Sequence, residues 1–132
     1  MNTPDWQILR ALLCDRLDDL TPEQRSADTL LFHRWLLLRQ GWAIGPLACN
    51  SDGLPISCSI TSLTLDGFDW ASLLDDRARV QSTLTALAAK DLTPSTFLMR
   101  ELLLAPQLAA TLPTHSPPER VMAVTPKKGG GR

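Results

Sequence analysis

No two cysteines in this chain stand in CxxC spacing. Its three thiols, Cys14, Cys49 and Cys58, form an odd set, so neither a disulfide framework nor a zinc ribbon is announced. Reduced, buried cysteines are the expectation, although Cys49 and Cys58 could face each other across a hairpin. Charge of one sign is also scarce. The formal net charge is −1 and the pI about 6.1, so no global positive field exists to hold nucleic acid, and any such binding must be local. Long apolar runs are missing too. The longest, residues 30–38, is interrupted by His33 and Arg34 and falls far short of the roughly 20 residues that span a bilayer. The opening MNTPDWQILR lacks a basic segment followed by an apolar one and a small-residue cleavage site. A cytoplasmic protein that does not enter membranes is therefore expected.

Catalytic groups are equally sparse. His33 and His115 are the only histidines, and His115 lies near the C-terminus, so a Ser-His-Asp or Cys-His site would have to rest on His33. His33 sits among apolar neighbours, as a core or surface-edge histidine does. A zinc site from Cys14, His33, Cys49 and Cys58 is chemically permissible, but its spacing is unlike that of closely paired ligands. The pairs Asp18-Asp19 and Asp75-Asp76 read as solvated charge near helix ends. Gly129-Gly130-Gly131 precedes no helix and so makes no phosphate cradle. The chain is expected to be no enzyme and to need no cofactor or metal.

What is present is apolar periodicity. With 132 residues, 44% of them hydrophobic, the chain can bury one sizeable core, which predicts a compact domain over residues 1–110. Residues 111–132, rich in Pro, Gly and Lys, read as a flexible tail. Trp6, Leu9, Leu12, Leu13, Leu17 and Leu20 recur at helical spacing, with Thr3 as a candidate cap, predicting a helix over residues 4–20. Thr21-Pro22-Glu23-Gln24 starts a short helix or turn. With Asp28 as a candidate cap, residues 29–40 form the next helix, closed by Gly41.

Beyond Gly41 the pattern changes to two extended runs around the turn-forming Asn50-Ser51-Asp52-Gly53. Ile56, Cys58 and Ile60 alternate with Ser57, Ser59 and Thr61, predicting one buried and one wet face. Pro46 and Pro55 cannot donate ladder hydrogen bonds, which suits a small exposed hairpin. The next helix follows without a loop: Thr64 can cap it, Asp66 lies at its positive end, and Gly67 allows close approach to the adjoining strand. Phe68, Trp70, Leu73 and Leu74 are its predicted core face. A further amphipathic helix spans residues 80–89, and Thr93-Pro94 opens another that continues to about Leu108.

The fold class is therefore mainly α with a small β-hairpin (α+β): three helices, a hairpin and further helices, the order of a winged helix-turn-helix with additional C-terminal helices. In that arrangement the helix before the hairpin reads DNA and the hairpin is the wing. The string LLFHRWLLLRQGWAI, a hairpin, and then SLTLDGFDWASLLDD resemble an uncharacterised family of small winged-helix proteins of bacteria and phages. His33, Leu37, Gly41, Ile44, Leu63, Thr64, Gly67, Leu74 and Asp75 carry the likeness over roughly residues 28–105, while Leu65 stands where that family has Trp. The resemblance implies the fold, and a setting in phages or mobile elements, more than an activity.

On a helical wheel of residues 28–40, Thr29, His33 and Gln40 form a polar strip with Arg34 and Arg39 apart from it. These five, with Asn50 and Ser51 at the hairpin tip and Arg77 and Arg79 beyond it, are the candidate contacts to DNA or a protein. Base readout wants Arg, Lys, Asn or Gln on the reading helix, and the supply is thin. Asp52 at the tip would be repelled by phosphate. Two functions follow as expectations: a DNA-binding transcription regulator, and a protein-binding adaptor or inhibitor acting on a host or defence complex. In the second, Val121, Met122, Lys127 and Lys128 of the tail are additional contacts. The apolar surface of residues 30–38 also suggests a homodimer.

Overall fold

A computed structural model of the protein describes residues 4–112. The chain is mainly helical with a small antiparallel hairpin, in the order α1 (Trp6–Cys14), α2 (Ala27–Gln40), β1 (Ala43–Ile44), β2 (Leu47–Cys49), β3 (Pro55–Cys58), β4 (Ser62–Leu63), α3 (Leu65–Leu74), α4 (Arg77–Ala89) and α5 (Thr96–Leu104). The described residues divide between Val80 and Gln81 into two compact units. The expected tail lies almost wholly outside the described residues.

In the first unit α1 is shorter than its apolar periodicity predicts. Its N-cap is Asp5, whose carboxylate accepts from the amides of Gln7 (2.9 Å) and Ile8 (3.4 Å). It ends at Asp15, a residue type that tolerates the left-handed conformation found there (φ 57°). Leu17–Asp19 then forms one 3₁₀ turn. Its Asp19 reaches back to the buried Arg10, which donates to that carboxylate at 2.8 Å and to the Asp75 carbonyl at 3.0 Å. Thr21 and Gln24 bond reciprocally, side chain to amide, as a capping box, but the turn stops there. Consequently only two α-helices precede the hairpin, where sequence pattern gives three. Ser26, not Asp28, caps α2, accepting from the Thr29 amide, and Gly41 closes it in the left-handed region (φ 77°).

The core of this unit has two parts. Ile8, Ala11, Leu20 and Leu30 cluster between α1 and α2, with Leu12 and Leu17 packed against them. Trp6 of α1, Trp42 beside β1 and Trp70 of α3 form a buried trio. Trp42 and Trp70 stack at 4.6 Å, and Trp6 lies 5.6 Å from Trp70 and 6.2 Å from Trp42. Trp70 and Leu74 are buried as expected. Phe68 is not: one turn from Thr64, it faces outward at 59% exposure.

The hairpin is a broken one. β1 pairs with β4 (Ala43↔Leu63, Ile44↔Ser62) and β2 with β3 (Leu47↔Cys58, Ala48↔Ser57, Cys49↔Pro55), with a bulge between Ala48 and Cys49. Cys49 therefore faces Pro55, not Cys58, and all three thiols are free. Cys49 is exposed, and Cys14 and Cys58 are half-buried, Cys14 donating to the Ala71 carbonyl at 3.3 Å. At the hairpin base Thr64 works in three directions. Its amide donates to the Trp42 carbonyl (3.0 Å), its hydroxyl donates to the Gly41 carbonyl (2.6 Å), and the same oxygen accepts from the Gly67 amide (3.0 Å). A β-carbon at Gly67 would lie on the Trp42 carbonyl oxygen, far inside van der Waals contact.

In the second unit, α4 ends at Ala89, and Asp91 in the turn beyond it is left-handed (φ 55°). α5 is capped by Ser95, which accepts from the Leu98 amide, rather than opened by Thr93-Pro94. Leu87, Met99, Leu102 and Leu103 are buried, and Lys90 Nζ donates to the Leu112 carbonyl at 3.1 Å.

Two predictions follow from the first unit's hairpin base and its buried ring. Gly→Ala inside a helix normally stabilises by about 1 kcal/mol; Gly67→Ala is expected to destabilise instead, seen as a lower urea midpoint. His33 Nε2 accepts from the Asp5 amide at 2.8 Å and its Nδ1 meets the Thr29 carbonyl at 2.8 Å, so the Nδ1–H tautomer satisfies both. Burial, opposed by the Thr29 bond and the Asp5 charge, holds its pKa below the ordinary 6.5. The unfolded chain therefore takes up this proton first, so the stabilisation is complete above pH 6.5 and lost as pH falls below it, at no more than about 1.4 kcal/mol per pH unit. Urea titrations from pH 7.5 to 5.5 should show that slope, and His33→Gln should flatten it.

Candidate interaction surface

The hairpin carries four of the six exposed large apolar side chains in the first unit, the other two being Leu65 and Phe68 of α3. Ile44, Leu54 and Ile56 are 57–60% exposed and Leu47 is 42% exposed. Alternation predicts Ile56 on a buried face. The structure places it in solvent although α2 packs against β3, and Pro55, Cys58, Ile60 and Leu63 of that arm are half-buried. Between residues 43 and 63 there is no Lys or Arg, and the one ionisable carboxylate is Asp52 at the tip. Asn50, a candidate contact, builds the tip itself. Its side-chain oxygen accepts from the amides of Asp52 (2.9 Å) and Leu54 (3.0 Å), as an Asx turn does. Ser51 beside it is exposed.

On α2 the buried positions are Leu30, His33 and Leu37. His33 thus leaves the set of candidate contacts: it is 1% exposed, and both ring nitrogens are engaged by backbone. Thr29 is half-buried, its carbonyl against His33 and its hydroxyl bonded to Ser26 at 2.7 Å. Gln40 and Arg39 are exposed and Arg34 is half-buried. The polar strip is therefore interrupted by the buried His33. Phe32 and Trp35, 6.0 Å apart, make a half-exposed aromatic pair with Arg39 5.0 Å over the Trp35 ring.

Arg77 and Arg79, which could add to a small positive patch if the fold gathers them with Arg10, Arg16 or Arg25, lie in the first turn of α4 and are exposed. Arg10 is not available to such a patch, being buried on Asp19. The bond from Arg10, reinforced by the nearby charges of Arg77 and Arg16, holds the Asp19 carboxyl below its usual range. This cluster thus surrounds a carboxylate. The first 80 residues contain no lysine, and their seven arginines are outnumbered by eleven carboxylates, which disfavours phosphate-driven binding.

Beside the hairpin, α1 and Leu17 leave an open groove of about 510 Å³. Leu12, Leu13, Leu17, Ile60 and Leu63 line it, with Arg34 and Asp15 as its charged groups. Cys58 also borders it, and burial pushes this thiol's pKa up despite the nearby Arg34. Among the described residues no three metal-ligating side chains gather, and no helix is long and apolar enough to cross a membrane. His115 and the tail contacts Val121, Met122, Lys127 and Lys128 lie outside the described residues.

Ile56→Ser is expected to change the unfolding free energy from urea titration by no more than the about 0.5 kcal/mol of a surface change, whereas a buried isoleucine would cost several times more. Comparison of the chain with known protein families, with curated proteins and with solved structures found no match.

Proposed function

We propose that the chain is a non-enzymatic docking module whose hairpin binds a protein partner, on a framework ordered like a winged helix. The exposure of Ile44, Leu47, Leu54 and Ile56 on a hairpin without one basic residue carries this reading. Such side chains are favourable to bury against another protein and offer nothing to phosphate. The aromatic pair Phe32 and Trp35, topped by Arg39, supports it, since Trp and Arg are the residue types that anchor interfaces. A regulator built this way acts by occupying a partner's surface, as an adaptor or inhibitor does.

DNA binding is the competing reading, supported by the helix that precedes the hairpin and by Arg34 and Arg39 on it. The two separate cleanly in one experiment. Immobilised full-length protein should capture a stoichiometric protein partner that the double variant Leu54→Asp/Ile56→Asp fails to retain. A duplex DNA complex that weakens with salt and with Arg34→Ala or Arg39→Ala, while ignoring the hairpin variant, would refute the protein-docking reading. If the partner is a second copy of this chain, scattering of the purified protein should give a dimer mass that the same double variant halves.

A further inference from the structure

Antiparallel pairing turns successive amides of a strand alternately toward and away from their partner. In the returning arm of the hairpin, Ser59 N–H donates to the Pro46 carbonyl at 3.1 Å and Thr61 N–H to the Ile44 carbonyl at 2.8 Å. Ile60 lies between them, so its main-chain groups turn the other way. Among the described residues neither its N–H nor its carbonyl has a partner. Each strand of this arm pairs on one side only, β3 with β2 and β4 with β1. The same arm, through residues 58–60, 62 and 63, forms one wall of the groove facing α1.

A free main-chain edge beside a groove of mixed polarity with leucines in its wall is a setting in which an extended peptide adds a further strand. The peptide's main-chain bonds supply affinity and its alternate side chains fill the groove. Here the leucines are Leu12, Leu13 and Leu17. Arg34 adds selectivity. It is half-buried on the groove, and no carboxylate bonds it among the described residues. A partly desolvated guanidinium gains most from a carboxylate, which it can hold through two bonds. Asp15, also on the groove, disfavours a second acid.

We propose that this groove binds an extended peptide with apolar side chains at alternate positions and one acidic side chain, which pairs with the free edge at Ile60 and places its carboxylate on Arg34. The proposal rests on the reading of the chain as a protein-docking module. It uses residues other than the exposed Leu54 and Ile56, so the two can fail separately.

The test is selection of displayed random dodecapeptides on the immobilised full-length chain, followed by affinity measurement with a synthetic copy of the enriched peptide. Enriched peptides should alternate apolar residues around a single Asp or Glu. Arg34→Glu should weaken the synthetic peptide roughly three- to tenfold, and exchanging the peptide's acid for Lys should restore binding to that variant. Ile60→Pro removes the outward amide together with a groove-lining side chain, and should weaken binding roughly two- to tenfold more than Ile60→Ala, which keeps the amide. If that variant fails to fold, the charge exchange at Arg34 decides alone. Leu54→Asp/Ile56→Asp should leave the affinity unchanged. No enrichment, peptides of helical apolar spacing, or an affinity indifferent to Arg34→Glu in folded protein would overturn the groove assignment. Binding lost with the hairpin double variant but kept with Arg34→Glu would overturn it while leaving the exposed hairpin as the docking surface.

Discussion

The carbonyl of Trp42 is the point on which the first unit turns. It accepts the Thr64 amide and has the Cα of Gly67 pressed against it, while the Thr64 hydroxyl bridges the Gly41 carbonyl and the Gly67 amide. The end of α2, the root of the hairpin and the start of α3 are thereby joined within a few atoms. Because β4 runs into α3 without a loop, the bond at Thr64 also sets the direction from which Trp70 enters the core. There it meets Trp42 and Trp6. A hairpin anchored at its base in this way does not need its outer half buried. It can expose apolar residues that an unanchored ribbon of this size could not order.

The opposite end of the unit is held by polar groups in dry surroundings. His33 joins the first turn of α2 to the cap of α1 at Asp5, and Asp5 is in turn bonded by Gln24 at 3.1 Å. Arg10 does the same between α1, Asp19 and the end of α3. Each is a charged or titratable residue spent on architecture. That spending is why the residues most suggestive of chemistry in this sequence are not free for it.

Much of this was legible in the residues themselves. Gly41 as a helix end, the turn at residues 50–53, the Thr64 cap and the close approach at Gly67 all follow from what those residue types allow. The failures were of tertiary origin. Periodicity carried α1 through Leu17 and Leu20, because those leucines do reach the core, but from a 3₁₀ turn and the segment after it. The alternation at Ile56 implied a covered face, yet only neighbours in space decide whether a strand face is covered. His33 looked polar on a wheel of α2, since a wheel cannot show that the Asp5 amide waits on the buried side. The groove beside Ile60 was beyond reach, because α1 and the returning arm are far apart in sequence. Pro46 and Pro55, which cannot donate ladder hydrogen bonds, were the signal for an exposed hairpin.

Hydrogen exchange at single-residue resolution bears most directly on the picture of a locked base carrying an open-edged ribbon. The amides of Thr64 and Gly67 should exchange only with global unfolding, whereas those of Ile60 and the tip residue Ser51 should exchange orders of magnitude faster. Equal protection along the whole ribbon, or a Thr64 amide as labile as the tip, would contradict it.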